Sequence, residues 1–172
     1  MEENSMTIEQ TNLIFASKSF TVERSPHPFV SREEGGHIRI FPKDHTISCI
    51  NDLTPLEMIE LARLEMVVRE SMMAGLNVQG IKVAWVNLED LGNWAFKRNE
   101  RPTLHIHIFG RVFSNGPQTL PEAVSLPDRS TGFYDGFKPL TDDDMKVIGN
   151  LIEKNIQNNP KYSDAQWGVV KN

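Results

Sequence analysis

The chain has 172 residues, 39% hydrophobic and 24% charged, enough for one domain with a packed core and too apolar for global disorder. A net charge of −5 without a basic stripe argues against duplex nucleic acid as a partner. The single cysteine, Cys49, excludes an internal disulfide and a cysteine-based zinc site, and its apolar neighbours suggest a core thiol.

Residues 1–10 are acidic and polar, read as a flexible tail, and lack the basic and apolar regions of a signal peptide. No apolar run approaches transmembrane length, so the expectation is a cytoplasmic protein with no membrane partner. Short apolar runs at 13–16 and 20–22 suggest a pair of strands. A polar stretch, 23–34, leads to Gly35-Gly36 and an alternating strand, 37–41, closed by Pro42. Thr54-Pro55-Leu56-Glu57 is a helix start: Thr54 caps, Pro55 suits the first helical position and Glu57 completes a capping box. Ile59, Ala62, Met66 and Val67 recur at helical spacing, the helix is expected to stop near Gly75, and its methionines read as core packing. Further strands are predicted at 81–86 and 103–109. Residues 114–140, rich in Gly, Pro and Ser, form a long loop, of a kind that is often functional. Thr141 opens a second helix whose buried face is Met145, Ile148, Ile152 and Ile156. Residues 1–172 thus read as a single domain without repeats.

The strand after Pro102 carries the chemistry. Side chains alternate along a strand, so Thr103, His105 and His107 share one face while Leu104, Ile106 and Ile108 share the other. Two imidazoles on an open face have three readings: a surface pair, a metal site completed by His37, or nucleophilic catalysis by a neutral imidazole. Lys97, Arg98, Arg101 and Arg111 lie close in sequence, and phosphate is the natural substrate if they converge.

From Phe15 to Arg111 the sequence resembles the histidine triad (HIT) superfamily of nucleotide hydrolases and transferases. The resemblance rests on an ordered set: Gly36-His37-Ile38-Arg39-Ile40-Phe41-Pro42-Lys43-Asp44-His45, the capped helix from Thr54, Val86-Asn87, and the strand from Thr103 through Gly110-Arg111. It implies an α+β fold, an antiparallel sheet of about five strands with one long and one C-terminal helix. By the same resemblance His105 matches the nucleophile and His107 the third signature histidine, while Thr103 stands where the family has its first histidine. His37 and Asn87 match residues that line the site and contact phosphates, Glu23 faintly matches the ribose partner, and Arg101 or Arg111 would stabilise phosphoryl charge.

The activity implied is attack at the α-phosphate of a dinucleoside polyphosphate or nucleoside phosphoramidate through a covalent nucleotidyl-histidine. No cofactor or metal is required, although magnesium can accompany a polyphosphate substrate, and a homodimer is the expected assembly. Residues 114–140 would serve as a lid or substrate wall, with Phe133, Tyr134 and Phe137 as stacking partners for a base. The alternatives are a non-catalytic nucleotide-binding module on the same fold, which Thr103 favours, and a metalloprotein using His37, His105 and His107.

Overall fold

The computed structural model describes residues 12–169; the expected tail, residues 1–10, lies outside the described residues. Strands β1 (Leu13–Ala16), β2 (Phe20–Arg24) and β3 (His37–Pro42) precede the long helix α1 (Pro55–Val78); β4 (Trp85–Asp90), β5 (Ile106–Arg111) and α2 (Asp142–Asn158) follow. The strands form one antiparallel sheet in the order β1-β2-β3-β5-β4. This is the α+β architecture expected, with one long and one C-terminal helix.

Both helices start where their caps require. Thr54 and Glu57 make the expected capping box, and Thr141 and Asp144 make a second. The helix α1 passes through Gly75 because α2 packs there: a Cβ on Gly75 would come within 3.0 Å of the Ile148 side chain. Its buried face is Leu61, Leu64, Val67, Val68, Met72 and Leu76, whereas Met58 and Met66 are exposed. Of the expected stripe Val67 is buried, Ile59 and Ala62 are half-buried and Met66 is exposed: charged residues are spread around α1, so spacing alone does not single out one stripe. In α2, with acidic residues on its open side, the predicted Met145, Ile148 and Ile152 are buried.

Ile38 and Ile40 of β3 pair with Ile108 and Ile106 of β5 and bury under the helices. A one-residue slip would expose all four, at about 1.5–3 kcal/mol each. The core therefore fixes which face His37 and His107 occupy. The β3–β5 pair is held close at one end by glycines: a Cβ on Gly110 would lie 2.1 Å from the Gly35 carbonyl oxygen, and Gly35 sits at φ +119.

Two strands start and end later than expected. Residues 81–84 close the end of α1, where the Ile81 N–H donates to the Leu76 carbonyl, so β4 begins only at Trp85. Residues 103–105 run past the end of β4, and the Leu104 N–H turns to the Ile47 carbonyl, so β5 begins at Ile106. Cys49 is only partly buried, at the mouth of a 3-10 turn (Ile50–Asp52), not in the core.

Candidate active site

The sheet face away from the helices carries His37 and Arg39 from β3 and His107, Phe109 and Arg111 from β5. Arg39 lies directly across from His107. A second apolar cluster of Phe29, Val30, Phe109 and Tyr134 covers part of this face, with Leu91, Trp94, Phe133 and Phe137 packed around it. Beside it opens a cavity of about 480 Å³, lined by His37, Arg39, Trp94, Arg101, Thr103, His105, His107 and Arg129 among others.

Hydrogen bonds fix the protons on the three imidazoles. The Phe29 N–H donates to His37 Nδ1 at 3.2 Å, so that nitrogen carries no proton. Neutral His37 is then protonated at Nε2 and donates to His107 Nδ1, 2.8 Å away. His107 in turn carries its proton on Nε2. His105 Nδ1 lies 2.8 Å from the Thr103 carbonyl oxygen, which only accepts. That bond places the His105 proton on Nδ1 and leaves the Nε2 lone pair unprotonated. One imidazole thus offers a nucleophile and its neighbour, two residues on, offers a donor.

The electrostatics favour these neutral forms. Burial, the neighbouring His105 and Arg39 bring His107 down to about 3. Burial pushes His37 well below the usual imidazole value, with His107 and Arg39 adding to it. Burial also lowers His105, against the opposing effect of its bond to Thr103. In the unfolded chain these groups take up protons near pH 6.5, so they contribute stability above about 6.5 that is lost as the pH falls toward their folded values. The urea midpoint is therefore expected to fall between pH 7 and pH 5, before most carboxylates titrate. A midpoint flat over that window would contradict the neutral, buried pair.

The residues singled out from sequence divide into three groups. His37, Arg101, Thr103, His105 and His107 line the cavity. Glu23 lies in a neighbouring cavity that shares Thr103, and its carboxylate accepts from the Thr21 hydroxyl at 2.9 Å. Asn87 and Arg111 lie outside the cavity. Asn87 pairs with Phe109, one step past His107 on the same face, and its Oδ1 accepts from Arg111 at 3.0 Å. Arg111 is 1% exposed, and its guanidinium donates to the carbonyls of Gln118, Thr119 and Glu122. In this structure the Arg111 guanidinium binds the long loop and is not presented to a substrate.

Residues 114–140 are anchored to the sheet through buried side chains. Gln118 is fully buried, donating to the Phe29 and Ser125 carbonyls and accepting from the Ser125 N–H. Tyr134 is buried against Phe29, with its hydroxyl on the Pro127 carbonyl, so its ring is not free to stack on a base. Sequence reasoning missed Arg39 and Arg129. Arg39 reads as the polar position of an alternating strand, and only the β3–β5 pairing brings it beside His107.

The geometry does not gather metal ligands. His37 Nε2 and His107 Nδ1 face each other across a hydrogen bond, and among the described residues no group of three His, Cys, Asp or Glu side chains is placed to hold a metal ion. No helix among the described residues is long and apolar enough to cross a membrane.

No protein-family model matches the sequence, and none of the curated proteins matches it. Solved structures do. A hypothetical histidine triad nucleotide-binding protein from Sulfolobus tokodaii is 16% identical, with a TM-score of 0.56, over 88% of this chain and 90% of that one. A histidine triad protein from Sinorhizobium meliloti is 18% identical, with a TM-score of 0.57, over 86% of this chain and 92% of that one. Another from Marinobacter aquaeolei is 16% identical, with a TM-score of 0.56, over 91% and 97%. These likenesses, over most of each chain, show the fold: this chain is built on the histidine triad fold.

Proposed function

We propose that the protein is a nucleotide hydrolase or nucleotidyl transferase that works through a covalent nucleotidyl-His105. The observation that carries this reading is the 2.8 Å contact from His105 Nδ1 to the Thr103 carbonyl, which leaves Nε2 as an unprotonated nucleophile in a ring lining the cavity. His105 Nε2 attacks the α-phosphorus as the bond to the leaving group breaks. His107 Nε2–H donates to a phosphoryl oxygen as charge develops there. Water then attacks the phosphorus as the bond to His105 breaks and releases the nucleoside monophosphate, or another acceptor takes the nucleotidyl group in its place. Dinucleoside polyphosphates and nucleoside phosphoramidates are the substrates to try first. The reaction needs no metal, and magnesium would enter only with a polyphosphate substrate. The proposed assembly is a homodimer, a reading supported by the exposed Trp85 and Leu88 on the edge strand β4.

Thr103 in place of the family's first histidine bears on rate, not on orientation. The contact to His105 comes from the backbone, which any residue at 103 supplies. Thr103→Ala is expected to leave turnover within about twofold, the scale of a substitution that removes no buried contact. A drop much beyond that would assign the hydroxyl a part in the reaction. The absence of an imidazole at 103 favours a second reading, a module that binds nucleotides without turning them over. Release of nucleoside monophosphate from diadenosine polyphosphates and adenosine phosphoramidates, with and without chelator, separates the two. Chelator-insensitive turnover supports the enzyme, and binding without turnover supports the module.

A further inference from the structure

The three imidazoles belong to a longer ladder of rings. Phe29 stacks on His37 at 5.5 Å, His37 on His107 at 5.0 Å, His107 meets His105 at 4.6 Å, and His105 stacks on Phe41 at 5.5 Å. A guanidinium caps each end. Arg129 lies 4.4 Å over the Phe29 ring and Arg39 lies 4.8 Å over the Phe41 ring. Both arginines line the cavity. Arg129 donates to the His27 carbonyl, and neither arginine takes part in an ion pair among the described residues. The Arg39 Nε is buried without a hydrogen-bond partner.

These positions contrast with two other cations of the same cavity, while Arg101, which also lines it, donates to the Thr46 carbonyl. Lys97 is paired with Asp128 and Arg98 with Glu100. Arg39 is largely buried among neutral rings; burial lowers its pKa, the Glu23 carboxylate across from it on β2 acts the other way, and the Arg129 charge adds to the lowering. Glu23 makes no ion pair with Arg39 among the described residues and its carboxylate is bonded to Thr21, so two like charges face the cavity without a paired carboxylate, a cost that a bound anion lowers. The chain as a whole is acidic, so this positive pair is local to the site.

We propose that Arg39 and Arg129 form a two-ended clamp for a chain of phosphoryl groups, with one phosphoryl on His105 and His107 and its neighbours on the two guanidiniums. Guanidinium suits this task because its fork of donors matches phosphoryl oxygens. The clamp rests on the nucleotide reading above and deepens it: the preferred ligand has several linked phosphoryl groups and not a lone phosphate or a phosphoramidate.

Calorimetric titration with tripolyphosphate and with orthophosphate tests the clamp without requiring turnover. Wild type is expected to bind tripolyphosphate at least tenfold more tightly than orthophosphate. Arg39→Gln and Arg129→Gln should each lower tripolyphosphate affinity about tenfold or more, the loss of one charge-assisted contact. Lys154→Gln, an exposed charge on α2 outside the cavity, is the control and should bind as wild type. Arg129 is exposed, so its variant stays informative even if Arg39→Gln fails to fold. Equal affinity of wild type for the two anions, no binding at all, or an Arg129→Gln that binds tripolyphosphate like wild type would each overturn the clamp. Failure of turnover across the nucleotide panel with the tripolyphosphate preference intact would instead overturn the enzyme reading and leave the clamp standing.

Discussion

His105→Ala is expected to lower turnover at least ~10³-fold while the fold and nucleotide binding persist, because it removes the attacking atom and nothing else in the cavity replaces it. His37 and His107 are poor substitutes. Each presents a protonated Nε2, and the Nδ1 atoms are already accepting hydrogen bonds from the Phe29 N–H and from His37. The His105 ring is partly exposed and sits just before the paired part of β5, so its truncation loses the stacking on Phe41 and the contact with the His107 ring. His107→Ala should be less severe, at roughly 10²-fold, as one donor to the developing phosphoryl charge is lost. Steady-state rates for the two variants, with bound nucleotide measured separately, check this. A His105→Ala enzyme retaining more than roughly a tenth of the wild-type rate would remove His105 from the nucleophile's role.

The largest effect on stability is expected at Arg111. Arg111→Met should cost about 3 kcal/mol, since a buried charged donor to four oxygen acceptors is removed and those acceptors lose their partner. For a domain of this size that corresponds to a fall in Tm of roughly 10 °C. The methionine fills most of the volume, so the loss reads the hydrogen bonds more than a cavity. Its second consequence lies in the loop. The guanidinium ties residues 118–122 to β5, so proteolysis within residues 114–140 should quicken in the variant. A melting temperature unchanged by the substitution would show that Arg111 is not the anchor described.

The parts of the site that are local in sequence were legible before the structure. The capping boxes at Thr54 and Thr141, the alternation that places His105 and His107 on one face, and the glycine-flanked strand at His37 each follow from a few neighbouring residues. The convergence of His37 with His107 was legible only through the resemblance, because β3 and β5 are joined by a long excursion through α1 and β4. What local sequence does not reach depends on long-range register. Asn87 falls opposite Phe109 because β4 starts at Trp85, and no local signal shows that residues 81–84 are spent closing α1. Arg111 shares the histidine face, but the loop that buries it folds back from residues further along the chain. Arg39 was passed over for the opposite reason: an alternating strand puts a polar residue at that place whatever lies beside it.

The double-displacement reading for His105 is tested most directly by trapping the intermediate. Wild-type protein turning over a diadenosine polyphosphate is quenched in base, where a phosphorus–imidazole bond survives, and its peptides are mapped by mass. Expected is an adenylyl adduct on the peptide containing His105, absent from His105→Ala. Steady turnover with no adduct, or an adduct on another residue, would contradict the mechanism.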